Sequence, residues 1–466
     1  MNALGFMERP PTRPGFLPRL IVAACGGPFL DGYVMSVIGV ALIGISAELD
    51  PTANESGLIG AASLIGIFVG AACFGFVTDR IGRRKMFVLD VSVMVMACVA
   101  CLFVGEAWQL IALRFVVGVA VGADYPVATS LLAEFTPTKK RGFMVGASAA
   151  AFSTGAAFAY LVGAAVVAVT GSNAHWRFML GTCALLGLVV LALRWGMPES
   201  PRWLLRRGRI DEVRAVAADI YGVALELPRG ELAVGAGAPG PERPSAARAS
   251  IRPLFRGEYL RRLMMCATLY LAVVVPLYAI LTYLPILLKG FAVDADGASG
   301  LLVETGINSL VVVGSVIAMV LTDRWGRRPL AVVPFGILIV PLVVLGVWTD
   351  APVGVVVAMF CAYNLFSGGP SILTWVYPNE LFPTEYRATA MGMVVAISRF
   401  GAAAGTYLVP LSIQRWGVGP TMLVGAAITA VAFVVCLFMA PETKGRSLEE
   451  TGSIDGSARV KAPVPL

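Results

Sequence analysis

Twelve apolar runs of about 20 residues or more follow one another along the chain, each bounded by charged residues or by Gly and Pro clusters. Runs of that length span the hydrocarbon of a bilayer, and lipid offers no partner for free backbone groups, so each run is predicted to be a closed helix. The first six are expected at roughly 18–47, 57–79, 86–105, 108–132, 143–169 and 177–196. The second six are expected at roughly 262–289, 300–322, 330–348, 352–378, 387–414 and 418–440.

A polar stretch interrupts the pattern between the sixth and seventh runs. It opens with SPRWLLRRGRIDEVRAVAADIYG, which reads as amphipathic helix, and continues as AVGAGAPGPERPSAARAS, whose Gly, Pro and Ala content cannot form a core. The expected organisation is a six-helix bundle over 1–196, a cytoplasmic linker over 197–261, a second six-helix bundle over 262–440 and a cytoplasmic tail over 441–466. An even number of spans before the linker leaves both halves in the same orientation, related by an axis along the membrane normal.

Three landmarks repeat at this interval. GFVTDRIGRRK (Gly75 to Lys85) returns as MVLTDRWGRRP (Met319 to Pro329), an offset of 244 residues from Asp79 to Asp323. EFTPTKKR (Glu134 to Arg141) returns as ELFPTEYR (Glu380 to Arg387), offset 246, and Pro198-Glu199-Ser200 returns as Pro441-Glu442-Thr443, offset 243. One order at one spacing indicates a duplicated unit, and a duplicated apolar chain is most simply a secondary transporter with a central site.

Composition and charge narrow the class. With 58% hydrophobic and 14% charged residues the chain falls well below the roughly 25% charge of a soluble domain. The net charge of +7 does not point to nucleic acid, because all but five of the 36 Lys and Arg fall in segments that are cytoplasmic if the N-terminus is. The five are Arg114, Arg177, Lys289, Arg399 and Arg415. That asymmetry predicts a multi-pass protein of the cell membrane with both termini inside. The first apolar run is too long for a removable signal peptide and is read as the first span. Eight scattered cysteines read as small packing residues. The single histidine, His175, falls in an extracellular loop and cannot build a multi-His metal site, so neither metal nor cofactor is expected.

The landmark motifs resemble those of the major facilitator superfamily over nearly the whole chain. PESPRWLL (Pro198 to Leu205) and PETKGRSLEE (Pro441 to Glu450) are similar to the sugar porters, as is the 20-residue spacing of Arg114 and Glu134 in the fourth span. GADYPVA (Gly122 to Ala128) resembles the signature of proton-coupled phosphate porters. NELFPTEYRATAMG with SRFGA resembles the organic-ion and aromatic-acid porters. Two departures matter. Val34 follows Gly32-Tyr33 where sugar porters carry Asp, and the seventh span has neither their Gln pair nor the acidic residue of phosphate porters. The resemblance implies an all-α membrane fold of two six-helix bundles, a functional monomer and alternating access.

An ionisable group in mid-bilayer costs a few kcal/mol and is a functional candidate by default. Counting about 1.5 Å per residue places Asp31, Asp124 and Arg399 near the midplane and Arg114 toward the outer face. Asp31 and Asp124, with Arg114 as a cationic neighbour, are the candidates for proton coupling; the competing reading is a fixed interhelical pair between an Asp and Arg114. Arg399 carries a planar fork suited to carboxylate or phosphate and is the candidate substrate ligand, with a helix carbonyl or an acidic side chain as the alternative partner. Tyr125, Thr154, Tyr278, Asn364, Ser367 and Trp375 lie at comparable depth and complete the candidate substrate site. Asp79, Arg83, Arg84, Glu134 and Arg141, with Asp323, Arg327, Arg328, Glu380 and Arg387, form two candidate cytoplasmic gating clusters, unless they serve topology alone. Asp90 is expected to join the first of them.

The reading is a proton symporter for a small polar metabolite, an organic anion first and a sugar or polyol second. No G-x-S-x-G, H-E-x-x-H or Gly-Lys dipeptide supports a membrane enzyme or an ATP-driven pump. A proton-driven exporter and a non-transporting sensor on the same fold remain as alternatives.

Overall fold

The computed structural model describes residues 11–135, 141–225, 252–291 and 297–444. Among them the regular structure is helical. The first half contains α1 (Phe16–Leu49), α2 (Ala53–Ile81), α3 (Arg83–Ala100), α4 (Ala107–Phe135), α5 (Arg141–Thr170) and α6 (Trp176–Arg194). Two shorter helices follow, α7 (Pro201–Arg206) and α8 (Ile210–Tyr221). The second half contains α9 (Gly257–Gly290), α10 (Gly297–Trp325), α11 (Arg327–Val347), α12 (Val353–Leu381), α13 (Thr384–Trp416) and α14 (Val418–Met439). All but α7 and α8 are long and apolar enough to cross a membrane, which makes twelve spans among the described residues.

Each expected span is present, and local chemistry sets the difference at the ends. Helix α2 begins at Ala53 rather than near residue 57 because Thr52 and Glu55 form a capping box, in which Thr52 N donates to Glu55 Oε2 at 2.9 Å and Glu55 N donates to Thr52 Oγ1 at 3.2 Å. Helices α2 and α3, and likewise α10 and α11, are separated by a single glycine, Gly82 and Gly326, with φ of 109° and 97°. Those angles lie in the region that favours glycine.

The two halves are built alike. In the first, α1 packs on α4, α5 and α6, α2 on α4, and α3 on α4 and α6. In the second, α9 packs on α12, α13 and α14, α10 on α12, and α11 on α12 and α14, the same set shifted by six spans. Close approach inside a half rests on small residues. A Cβ on Gly118 would lie 2.1 Å from the Ser63 carbonyl oxygen, and one on Gly66 2.3 Å from that of Phe115.

The halves meet through α1 and α9, α2 and α13, and α5 and α10, the last two pairs being exchanged by the pseudo-two-fold. Tyr160 Oη donates to the Leu281 carbonyl at 2.7 Å, Tyr283 Oη to that of Ser56 at 2.9 Å, and Tyr407 Oη to Asn54 Oδ1 at 3.0 Å. All three lie toward the end of the molecule away from the start of α1 and the end of α14. A small apolar cluster of Ala156, Leu277, Leu281 and Val311 continues the contact inward.

The segment after α6 packs against the first half. Val213, Ala217, Ile220 and Tyr221 of α8 are buried with Phe16, Leu20, Phe87 and Phe135. Thr12 N and Arg13 N both donate to the Ile220 carbonyl, at 2.8 and 3.1 Å, and Arg13 pairs with Asp219 at 2.6 Å. The amphipathic character expected for this stretch is therefore the result of a buried face.

Candidate functional site

Three charged side chains meet inside the first half. Arg194, the last residue of α6, turns back into the bundle and is fully buried. Its Nη1 and Nη2 donate to Asp124 Oδ1 and Oδ2 at 2.7 and 3.0 Å, a two-pronged pair, and Nη1 also reaches Asp90 Oδ1 at 3.2 Å. The carbonyls of Ala23 and Phe87 accept at 3.2 and 3.0 Å, and the guanidinium lies 3.8 Å above the Phe87 ring. Thus α1, α3, α4 and α6 are tied together at one point.

A second cluster lies where the halves meet. Arg399 of α13 is buried, donates to Tyr278 Oη at 2.7 Å and lies 5.7 Å from the centre of that ring. Tyr270, two turns earlier on α9, also feels the Arg399 charge and is hydrogen-bonded to Thr374 of α12. Phe152 of α5 packs edge-on against Tyr278 at 6.0 Å. Asp31, fully buried on α1, acts electrostatically on the Tyr278 hydroxyl. An acidic residue of one half and a basic residue of the other therefore act on the same tyrosine.

The other candidates divide. Arg114 is buried away from both aspartates: its Nε donates to the Ile59 carbonyl at 2.6 Å and its Nη1 to that of Val34 at 3.4 Å, so it braces α1, α2 and α4. Val34 is the position where the sugar porters carry Asp. The cation against Asp124 is Arg194, not Arg114. Asn364 and Ser367 are buried between α10 and α12, with Asn364 Nδ2 donating to the Ile307 carbonyl at 3.0 Å and Ser367 Oγ to that of Asn364 at 2.8 Å. Thr154 is exposed and donates to the Ala150 carbonyl, and Trp375 is half-buried. The side chains of Tyr125, Asp79, Glu134, Arg141, Asp323 and Arg387 lie outside the described residues. Asp90 joins Arg194 and Asp124. His175 is half-buried beside Phe178, 6.2 Å between ring centres.

Two landmarks that are distant in sequence come together at the α2–α3 and α10–α11 corners. Glu199 Oε1 accepts from Arg83 N and Arg84 N at 3.0 and 3.1 Å, and Glu442 accepts from Arg327 N and Arg328 N at 3.0 and 3.1 Å. A carboxylate is thereby bound to the free N–H groups and positive dipole end of α3 and of α11. Burial works against the Glu442 charge, but N–H donation from Arg327, Lys444, Arg328 and Thr443 holds its carboxyl below the usual range. A Cβ on Gly82 or Gly326 would lie 2.6 or 2.5 Å from these carboxylates. Of the gating arginines, Arg327 pairs with Glu380 at 2.9 Å within the second half, and Thr443 donates to the other Glu380 oxygen.

Three residues here escaped sequence reading. Arg194 falls in sequence among the positively charged ends of the spans, although its side chain points inward. Tyr270 has no distinguishing neighbour in sequence. Glu304 of α10 is fully buried near Tyr160, and a glutamate inside an apolar run is a signal that sequence reading had available.

Twelve spans in two like halves, with charged groups buried within and between them, define a membrane carrier. The chain belongs to the sugar (and other) transporter family, whose model matches residues 20–454, within the major facilitator fold. It is 38% identical to YaaU of Escherichia coli over 438 residues, covering 94% of each chain. It is 32% identical to the inner membrane metabolite transport protein YgcS of the same organism, over 97% of this chain and 98% of that one. The solved structure of a D-xylose-proton symporter superposes with a TM-score of 0.74 at 21% identity, covering 93% of this chain and 100% of that one.

Proposed function

We propose that the protein moves a small polar metabolite, an organic anion, across the cell membrane together with protons, as a monomer with both termini inside. The observation that carries this reading is the Asp31, Tyr278 and Arg399 cluster. Its cation belongs to α13 and its acid to α1, and the tyrosine of α9 bonded to the cation also feels the charge of the acid. An anionic group bound at Arg399, with the Tyr278 O–H donating to it as well, gains a charge-assisted, two-pronged bond from the guanidinium. A proton on Asp31 then removes the like charge that would oppose it. Asp31 and Asp124, with Arg114 as a brace, are assigned to proton coupling. Arg399 and Tyr278 are assigned to substrate, with Tyr125, Thr154, Asn364, Ser367 and Trp375 as further contacts.

The packing supports alternating access. Contacts between halves gather toward one end, and rocking about them opens and closes the other. There the Arg83, Arg84, Arg327 and Arg328 corners are the proposed gate, with Asp79, Glu134, Arg141, Asp323, Glu380 and Arg387. The positive-inside distribution puts that end in the cytoplasm. A sugar or polyol is the second reading, favoured by the symporter fold and by PESPRWLL and PETKGRS.

Proton entry into proteoliposomes, read by an internal pH dye while a panel of organic acids, sugars, polyols and phosphate is added, tests both readings. Acidification on adding an acid, abolished in Asp31→Asn, is the expected result. A response to sugars alone overturns the anion reading and leaves Arg399 a packing residue.

A further inference from the structure

The coupling scheme above gives no role to Asp90 and Arg194, yet the three groups that meet there carry unequal charge. Arg194, Asp90 and Asp124 are 0%, 3% and 5% exposed. Among the described residues Arg194 is the cation that reaches either carboxylate. Two carboxylates against one guanidinium leave one negative charge in a site with almost no solvent, an arrangement that burial penalises heavily. One proton removes it.

The geometry supplies a place for that proton. Asp90 Oδ1 is occupied by Arg194 and by Val91 N at 2.6 Å, whereas Asp90 Oδ2 receives no donor. The Asp90 and Asp124 carboxyls meet at one donor, Arg194 Nη1, which reaches them at 3.2 and 2.7 Å. Beside them is a cavity lined by Gly27, Leu30, Asp90, Ala120 and Asp124, with room for about one water molecule. Gly27 makes the fit possible, since a Cβ there would lie 1.7 Å from Asp124 Oδ2 and 2.9 Å from Arg194 Nη2.

The surrounding groups do not balance the charge. On α1, Arg19 is engaged with the carbonyls of Leu193 and Trp195, Cys25 bonds Ser148 of α5, and Asp31 lies one turn beyond Gly27. Asp31 adds negative charge rather than removing it.

We propose that Asp90, Asp124 and Arg194 form a proton-binding site in which one exchangeable proton is shared by the two carboxyls and passes to and from water through the adjoining cavity. Loading converts a carboxylate pair and a hydronium ion into a carboxyl–carboxylate pair and water; no electrons move and no other bond changes. The inference rests on the proton-coupled reading and assigns its proton to a defined pair, with Asp90 rather than Asp31 as the partner of Asp124.

The test is infrared spectroscopy of the purified full-length protein in lipid at neutral pH, with no substrate present. Asp90→Asn and Asp124→Asn are each expected to lose the same protonated-carboxyl C=O band, because either remaining carboxylate then matches Arg194 one for one. Asp31→Asn is expected to retain it. The double variant Asp124→Asn with Arg194→Gln leaves Asp90 without a cation and is expected to show one protonated carboxyl again. Persistence of the band in both single asparagine variants, its loss in Asp31→Asn alone, or its absence from the double variant overturns the proposal. A wild-type spectrum with no such band overturns it without any variant. Because no substrate is involved, a failure to find proton-driven transport leaves this result standing, and a missing band leaves transport of another kind standing.

Discussion

In the first half a guanidinium is enclosed by acids of its own half, Arg194 between Asp90 and Asp124. In the second half Arg399 bonds Tyr278 of α9, which also feels Asp31 of the other half. The helix contacts inside the two halves are the same set, and so are the glutamates bound to the N-termini of α3 and α11, but the two arginines stand on helices that the repeat does not exchange. The scaffold and its corners are thus duplicated, whereas the buried chemistry is not. A charge satisfied within one half moves with that half. A charge that looks from one half to the other is remade when the halves rock, which is why substrate contact is proposed at Arg399 and internal charge balance at Arg194.

The sharpest way to break this comparison is to remove each arginine in turn. Arg194→Gln leaves the Asp90 and Asp124 carboxyls without their cation, and loss of one partner from a buried ion pair costs about 3–5 kcal/mol. Thermal unfolding of the purified protein should show a large fall in midpoint. Arg399→Gln should unfold close to wild type yet lose transport. Equal thermal losses in the two variants would remove the distinction between the halves.

Next in size are the corners, where the comparison predicts equality. Glu199→Ala and Glu442→Ala each leave helix N–H groups without their carboxylate and should each cost about 1–2 kcal/mol, read from denaturation midpoints. Acid sharpens the Glu442 case. Its folded carboxyl titrates below its unfolded value, so its stabilisation is complete above the unfolded value and is lost as pH falls through the lower folded one. The stability difference between wild type and Glu442→Gln should therefore be constant near neutrality and shrink below the ordinary glutamate range.

Smaller effects belong to the gap itself. Tyr278→Phe removes the hydroxyl that accepts from Arg399 and should weaken substrate affinity by a factor corresponding to about 1 kcal/mol, with the fold intact; uptake against concentration reads it. Tyr407→Phe loses only the partly exposed bond to Asn54 and should shift the balance of open and closed forms by a few tenths of a kcal/mol at most, visible in the accessibility of a cysteine label.

The spans, the duplication and the amphipathic segment after α6 were legible because hydropathy, repeat spacing and charge asymmetry are properties of sequence. Asp31, Asp124 and Arg399 were legible as charges in apolar runs. The partnership of Asp124 was not, because Arg194 ends an apolar run exactly where a surface arginine is expected, and only the direction of its side chain makes it internal. A per-half charge count held the clue: buried aspartates at positions 90 and 124 call for a cation, and Arg114 is too far along α4 to serve both. The Glu199 and Glu442 clamps were visible as repeated letters, but their bonding depends on the corners at Gly82 and Gly326, which no local pattern connects to residues more than 100 positions away.

The imbalance of the Arg194 site has an electrical consequence. With one shared proton the triad is neutral, and the first half carries no net charge from it through the bilayer field; without the proton it carries one negative charge. A unit charge crossing the whole field exchanges about 2.3 kcal/mol per 100 mV. Membrane voltage therefore acts on this triad only in the empty half of its cycle, and in the loaded half it acts on the cargo alone.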